Sequence, residues 1–203
     1  MRILILNGSA RAHGNTSTLT AAFKRGAEEA GNDVVELPVG RMAIRGCLGC
    51  EYCHGRGHGE CIIRDDEKEV KEEMKKADML VLASPIYFFS PSAQLEAAIQ
   101  RMHAKGIPDN IRESAMILTS GSPGVYDAAK AQYKAIFDYL GTRDRGIFTA
   151  WQRKQIRKKT EGTRRLRALP RFIKEEIHDI KRNIYIERQS DHPEIWPWHM
   201  AHR

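Results

Sequence analysis

The chain of 203 residues carries 33 Lys and Arg against 26 Asp and Glu, a net charge of +7, and its length fits one α/β domain with a substantial core. It holds no apolar run long enough to span a membrane, and it opens on a predicted strand rather than a secretory signal, so we expect a cytoplasmic protein. The charge is uneven, because residues 1–151 balance 19 basic against 19 acidic residues whereas residues 152–203 carry 14 against 7. This neutral main body does not favour nucleic acid as a partner.

The main body alternates predicted strands with predicted helices. The predicted strands are residues 2–6, 34–37, 79–83, 115–119 and 146–150, and the predicted helices are residues 16–30, 65–77, 92–105 and 127–140. The third and fourth strands are apolar on both faces, which is typical of a parallel sheet covered by helices. Right-handed crossovers then predict a doubly wound five-stranded parallel sheet of order 2-1-3-4-5.

The loop after the first strand has the composition of an anion-binding site. Asn7 and Gly8 end the apolar run, and residues 14–17 open the first helix. Free backbone N–H groups and the helix dipole converge at such a start, and Ser or Thr hydroxyls add donors. The loop lacks a triphosphate-loop ending and G-x-G-x-x-G, which indicates a monophosphate held by hydroxyls and amides, with Arg11 as the nearby cation. Taken alone, the loop fits an ordinary capped strand–turn–helix equally well.

Two further unusual loops follow the third and fourth strands, at the same edge of the predicted sheet. Residues 84–90 are stiffened by Pro85 and carry three aromatic side chains, and residues 120–126 are rich in Ser and Gly. A planar ring system needs flat apolar walls and close backbone amides, which these residue types provide. Core packing is the ordinary role of an aromatic side chain, and we expect it for one of the three.

In combination, these loops resemble those of the NAD(P)H-dependent FMN reductase group of flavodoxin-like proteins. The matching segments are Gly8-Ser9-Ala10-Arg11 with Gly14-Asn15-Thr16, Ser84-Pro85-Ile86-Tyr87-Phe88 with Ser92-Ala93-Gln94-Leu95, and Ser120-Gly121-Ser122-Pro123. The resemblance covers about residues 1–151, which we interpret as a flavodoxin-like FMN-binding domain. It implies a homo-oligomeric enzyme that passes electrons from NAD(P)H through FMN to a quinone-like, aromatic or oxygen-derived acceptor. Since the flavin performs the chemistry, no catalytic acid or base is implied.

The same resemblance implies which residues contact FMN. Its phosphate would bind at Ser9, Arg11, Asn15, Thr16 and Ser17. Its isoalloxazine ring would lie against Pro85, Ile86, Tyr87 and Phe88, and against Ser120, Gly121 and Ser122.

Four cysteines lie in one glycine-rich loop, at Cys47, Cys50, Cys53 and Cys61. Clustered thiols in a reducing compartment more often bind metal or do redox work than form disulfides. Their C-x2-C-x2-C-x7-C spacing is similar to that of the iron-sulfur flavoproteins, a branch of the same family, and four thiolates can hold a 4Fe-4S cluster. Two alternatives stay open, namely thiols that only pack the loop beside the flavin, and zinc with His54 or His58 as further ligands.

Two other functions compete with the enzyme. An iron-sulfur flavoprotein would act as an electron carrier or redox sensor with a protein partner, such as a ferredoxin-like donor. A basic binding module could also be built on a flavodoxin scaffold that has lost its flavin. Steady NAD(P)H oxidation by the purified protein separates the enzyme from both.

The segment of residues 152–203 departs from the pattern. A final helix should cover the sheet after the fifth strand, but residues 152–159 form a basic run instead. With suitable synonymous codons, a one-base shift of the reading frame over residues 152–164 encodes a credible helix start, so we hypothesise a frameshifted C-terminus. After Pro170, apolar residues at helical spacing predict an amphipathic helix; they are Ile173, Ile177, Ile180 and Ile184.

Overall fold

The structure is a computed structural model, and it describes residues 1–151. Three expectations concern residues 152–203, namely a separate basic tail, a frameshift and an amphipathic helix. These residues lie outside the part of the chain that the structure describes. Within residues 1–151, the helices are too short or too polar to cross a membrane.

The described chain alternates strands with helices. The strands are β1 (Arg2–Asn7), β2 (Asp33–Leu37), β3 (Met79–Tyr87), β4 (Ser90–Pro91), β5 (Glu113–Ser120) and β6 (Arg143–Trp151). The helices are α1 (Asn15–Glu29), α2 (Glu67–Met74), α3 (Ala93–Arg101) and α4 (Asp127–Tyr139). Each strand and helix predicted for this part of the chain is present, but β3, β5 and β6 are longer than predicted, and α2 and α3 are shorter.

The long strands form one parallel sheet in the order β2-β1-β3-β5-β6. The two-residue strand β4 pairs only with β3, in antiparallel fashion. Once β4 is set aside, this is the predicted order 2-1-3-4-5, and the flavodoxin-like doubly wound fold is confirmed.

Helices cover both faces of the sheet. On one face, α1 packs through Leu19 and Phe23 against side chains of the central strands, which are Ile3, Ile5, Val81 and Ile117. On the other face, α2, α3 and α4 pack against the alternate set, which is Leu4, Leu6, Leu80, Leu82 and Leu118. The central strands are buried on both sides, which explains their continuous apolar runs.

The segment after Ala83 differs from the predicted loop. The pairing of β3 with β5 continues to Pro85, opposite Thr119, and the chain then turns back in a two-residue hairpin. Phe88 and Phe89 form this turn, with φ angles of 46° and 68°. Positive φ at both central residues matches the twist of the flanking strands, but such turns are usually signalled by Asn-Gly, and this turn has two phenylalanines instead.

Candidate functional site

The carboxyl ends of β1, β3 and β5 lie at one edge of the sheet, because these strands are parallel neighbours. The loops that follow them are the three loops singled out in the sequence. Two buried hydrogen bonds connect these loops. Ser92 Oγ, at the start of α3, donates to the Gly8 carbonyl over 2.7 Å, and Thr16 Oγ1 lies 2.7 Å from Thr119 Oγ1 at the end of β5.

The β1–α1 loop is folded by its own polar groups. The Asn7 side chain accepts from the Ser9 N–H over 2.9 Å and donates to Glu36 Oε1 over 2.7 Å. Ser9 Oγ accepts from the Arg11 N–H and donates to the Arg11 carbonyl, each over 3.2 Å. These hydrogen bonds give the loop a defined shape.

Two glycines allow other segments to approach this loop closely. A Cβ atom on Gly8 would lie 2.6 Å from Ser92 Oγ, and one on Gly40 would lie 2.4 Å from the Ser9 carbonyl carbon. Neither distance is sterically acceptable, so the loop is clamped between the turn at Val39–Arg41 and the start of α3.

The start of α1 has the features of an anion site. Its N-cap residue, Gly14, provides no side-chain cap, and its first turn contains no acidic residue. The first N–H groups of a helix have no partner within the helix, and the dipole places positive charge there. Arg11 is exposed and forms no ion pair within residues 1–151. An uncapped helix start beside an exposed cation is the arrangement that would suit an anion.

The hydroxyl groups predicted to contact a phosphate already have partners. Ser9 Oγ and Ser17 Oγ both donate to the Arg11 carbonyl, over 3.2 and 3.1 Å. Thr16 is buried, and its hydroxyl pairs with that of Thr119. Only if Thr119 is the donor in that pair does Thr16 retain a proton for a ligand. The structure gives the backbone N–H groups of residues 15–17 and the Arg11 guanidinium more freedom to bind an anion.

The β3–β4 hairpin carries the exposed aromatic side chains of the site. Tyr87, Phe88 and Phe89 are 50, 95 and 54% exposed, whereas Ile86 belongs to the core. The expectation that one of the three aromatic residues packs in the core is therefore wrong, because the tight turn projects all of them from the sheet edge. The rings of Phe88 and Phe89 meet edge to face, with centroids 5.8 Å apart. Pro85 is half-buried beside them.

The loop after β5 is held by Ser120. Its Oγ donates to the Ser122 carbonyl over 2.6 Å and lies 2.5 Å from the Tyr126 hydroxyl. Burial raises the pKa of Tyr126, and this hydrogen bond offsets the effect only in part. Gly121 and Ser122 are exposed. The Ser120 hydroxyl thus shapes the loop, while the exposed backbone beyond it can contact a ligand.

The cysteine loop is clamped at both ends by Arg101, a buried residue in the last turn of α3. Its Nη1 donates to the Arg45 carbonyl over 3.0 Å, and its Nη2 donates to the Ile63 carbonyl over 3.3 Å. Two carboxylates complete the clamp, since Nη1 lies 2.8 Å from Asp65 Oδ2 and Nη2 lies 3.3 Å from Glu67 Oε2. Sequence reasoning missed this role, because a basic residue near a helix C-terminus usually serves the helix dipole in solvent.

The four cysteines are free thiols within this clamped loop. Cys47 and Cys50 are exposed, and Cys53 and Cys61 are half-buried. Among residues 1–151, one group of three such side chains (His, Cys, Asp or Glu) has its ligand atoms within 4.8 Å of one another. That group contains no cysteine. The structure thus places the four thiols in one loop, without the close spacing of three ligand atoms that a single metal ion requires.

Comparisons with known proteins agree with this architecture. Residues 1–152 match the family described as NADPH-dependent FMN reductase. An iron-sulfur flavoprotein of Archaeoglobus fulgidus is 34% identical over 102 residues, which cover 50% of this chain and 46% of that protein. An iron-sulfur flavoprotein of Methanocaldococcus jannaschii is 34% identical over 101 residues, covering 50% of this chain and 51% of that protein. The chain spans about half the length of the curated relatives it matches.

Solved structures show the same fold at low sequence identity. An NAD(P)H:quinone oxidoreductase from Methanothermobacter marburgensis superposes with a TM-score of 0.59 at 18% identity, over 83% of this chain and 96% of that one. An azoreductase from Bacillus anthracis gives a TM-score of 0.58 at 16% identity, over 80% of this chain and 92% of that one. With three quarters of its length matched by the family, the chain belongs to the NADPH-dependent FMN reductases, a family of oxidoreductases.

Proposed function

We propose that this chain is an FMN-dependent oxidoreductase that transfers electrons from NAD(P)H to a quinone-like, aromatic or oxygen-derived acceptor. The observation that carries the proposal is the uncapped start of α1 beside the exposed Arg11, at the sheet edge that also bears the exposed hairpin aromatics. An anion cradle next to flat apolar side chains fits a phosphate joined to an aromatic ring system. The family supplies the identity of that ligand as FMN.

The phosphate of FMN would bind at the β1–α1 loop, through Ser9, Arg11, Asn15, Thr16 and Ser17. The protons of Ser9 and Ser17 are directed to the Arg11 carbonyl. We therefore assign the main donor role to the N–H groups of residues 15–17 and to the Arg11 guanidinium. Thr16 would contribute its hydroxyl only when Thr119 donates to it.

The isoalloxazine ring would lie against Pro85–Phe88 and against Ser120–Ser122. Tyr87 and Phe88 offer exposed aromatic surface, whereas Ile86, whose side chain is buried, would contribute its backbone. The exposed Gly121 and Ser122 allow backbone groups to reach the ring heteroatoms. Bound FMN supplies the redox chemistry, and these residues bind it, orient it and cover part of its surface.

The test is NAD(P)H oxidation by the purified full chain reconstituted with FMN. We expect FMN-dependent loss of NADPH or NADH absorbance in the presence of a benzoquinone acceptor. Protein that does not retain FMN, or that leaves NAD(P)H unoxidised with quinone, aromatic and oxygen acceptors, would refute the proposed enzyme. Size-exclusion chromatography of the same sample tests the homo-oligomer that belongs to this proposal.

A second candidate function is that of an iron-sulfur flavoprotein working with a protein partner in the cytoplasm. It is supported by the four free thiols in one clamped loop and by the relatives that carry that name. The donor set fits a 4Fe-4S cluster in number and type, with Cys47, Cys50, Cys53 and Cys61 as ligands. The glycine-rich loop that carries these thiols has both of its ends fixed by Arg101.

The two candidate functions are separated by iron analysis and by the electron donor. Anaerobically purified protein with iron and sulfide, reduced by a ferredoxin-like donor more readily than by NAD(P)H, would favour the carrier. Protein without iron or sulfide that oxidises NAD(P)H steadily would favour the enzyme with unligated thiols.

A further inference from the structure

One cluster of metal-ligating side chains shares no residue with the proposed flavin site. Glu51 and His54 belong to the cysteine loop, and His103 lies in the short turn after α3 (Met102–Ala104). One ligand atom from each lies within 4.8 Å of the other two. We propose that Glu51, His54 and His103 form a binding site for a divalent transition-metal ion, with Zn²⁺ as the favoured ion.

The separation of the side chains suits a single small ion. Glu51 Oε1 and His103 Nε2 are 3.3 Å apart. Two ligands of a tetrahedral zinc ion, each bonded at roughly 2.0–2.1 Å, lie about 3.3 Å from one another. The same two atoms can therefore share an ion with little movement of either side chain.

The two histidine rings are also brought together. Their centroids are 4.7 Å apart and their planes are inclined by 54°. His54 Nε2 lies 3.0 Å from the His103 backbone carbonyl. A hydrogen bond from one ring nitrogen to a carbonyl fixes the orientation of a ligating imidazole ring and leaves its other nitrogen for the metal.

The backbone of Glu51 adopts an uncommon conformation. Its φ of 54° lies in the left-handed region, which residues with a side chain rarely adopt. The Glu51 carbonyl accepts hydrogen bonds from the N–H groups of His54 and Gly55, over 3.1 and 3.2 Å, and these bonds close the turn. The turn thus brings the side chains of Glu51 and His54 close together, near His103.

The chemistry of this donor set selects the class of ion. Two imidazoles and one carboxylate suit borderline ions such as Zn²⁺, whereas Mg²⁺ and Ca²⁺ prefer oxygen ligands alone. The set differs from the four thiolates of the cysteine cluster, and it leaves a coordination position for water. An ion here would tie the middle of the cysteine loop to the end of α3, while Arg101 ties its two ends.

The test is a Co²⁺ titration of the full chain, because Co²⁺ replaces Zn²⁺ and reports its ligands by its visible spectrum. We expect wild type to bind one equivalent that shows ligand-field bands without thiolate-to-cobalt charge transfer. His103→Gln should weaken this component by more than the roughly 10–100-fold that loss of an outer-sphere partner costs. The full chain has eight histidines, so the assignment rests on the difference between wild type and variant.

His58→Asn is the matched control, because His58 is an exposed histidine of the same loop outside the group of three. It should titrate like wild type. Glu51→Gln provides a second variant, and it should lose the same equivalent as His103→Gln. The proposal is overturned if both site variants titrate like wild type, or if the component they lose carries thiolate charge transfer.

Discussion

Nη1 of Arg101 lies 2.8 Å from Oδ2 of Asp65, in an ion pair whose side chains are 1 and 6% exposed. This pair fastens the last turn of α3 to the far end of the cysteine loop. The same guanidinium donates to carbonyls at both ends of that loop, before Cys47 and after Cys61. The loop that carries every cysteine is therefore anchored by one side chain of the flavodoxin-like core.

We expect Arg101→Met to destabilise the protein by about 3 kcal/mol, because it removes the nearest positive charge from the buried side chains of Asp65 and Glu67 and leaves them only longer contacts with Arg45 and Lys71. Urea unfolding of the full chain measures this loss. Arg112→Met is the control, since Arg112 is exposed and its substitution should change the free energy of unfolding by less than about 0.5 kcal/mol. Similar effects of the two substitutions would show that the clamp contributes little.

The acid side of the stability profile depends on Asp65. Burial opposes the ionisation of its carboxyl group, but hydrogen bonds from the Arg45 N–H and Arg101 outweigh this and hold the pKa of Asp65 below its ordinary value of 3.8. Its ionised form therefore stabilises the fold fully above that value, and the contribution is lost as the pH falls through the lower folded pKa. We expect Asp65→Asn to be destabilising at about pH 7, with the difference from wild type shrinking towards about pH 3.

Glu67 acts with the opposite sign. Burial raises the pKa of Glu67 above its ordinary value of 4.5, and Lys71 and Arg101 offset only part of this. Its ionised form costs stability near neutral pH, and the cost disappears as the pH falls through the raised value. Glu67→Gln should therefore destabilise less than Asp65→Asn in neutral urea unfolding, and the two variants should converge in acid. Equal losses at neutral pH would contradict this assignment.

The β1–α1 loop yields a prediction about ligand affinity. Arg11→Ala removes one charge-assisted contact, worth roughly 1.5–3 kcal/mol, so it should weaken FMN by about tenfold to a hundredfold. Riboflavin, which lacks the phosphate, should bind wild type and variant almost equally in fluorescence titrations. Arg25→Ala, which removes an exposed cation of α1 away from the loop, should leave FMN affinity unchanged. An equal loss for riboflavin would mean that the loop does not bind the phosphate.

The sequence predicted the strands because buried parallel strands have long apolar runs. The right-handed crossover rule then predicted their order in the sheet. The sequence also predicted the position of the loops, since those follow from where the strands end. It could not reveal the partners of short polar side chains, such as the pairing of Thr16 with Thr119, because these residues are 103 positions apart. Arg101 was missed for the same reason, since its acceptors belong to distant segments.

The pair of Thr16 and Thr119 predicts a non-additive response. Thr119→Val leaves the buried Thr16 hydroxyl without its partner, which should cost about 1–3 kcal/mol of stability. Replacing both residues by Val removes both polar groups, so the double variant should be more stable than the sum of the single losses predicts. A thermal or urea unfolding cycle over the four proteins measures this coupling. Additive losses would mean that the two hydroxyls do not form a buried pair.

The hairpin turn predicts opposite effects on stability and on flavin binding. Phe88 and Phe89 both occupy left-handed conformations, which cost roughly 1–2 kcal/mol for most residues and less for Asn. Phe88→Asn and Phe89→Asn should therefore each raise the free energy of unfolding of the flavin-free protein.

Only one of these substitutions should affect the flavin. Phe88 belongs to the proposed ring contact and Phe89 does not, so Phe88→Asn should weaken FMN and riboflavin alike whereas Phe89→Asn should leave both affinities near wild type. The equal effect on the two flavins distinguishes a ring contact from a phosphate contact. If Phe88→Asn stabilises the protein without weakening either flavin, the exposed side chain of Phe88 does not form part of the ring wall.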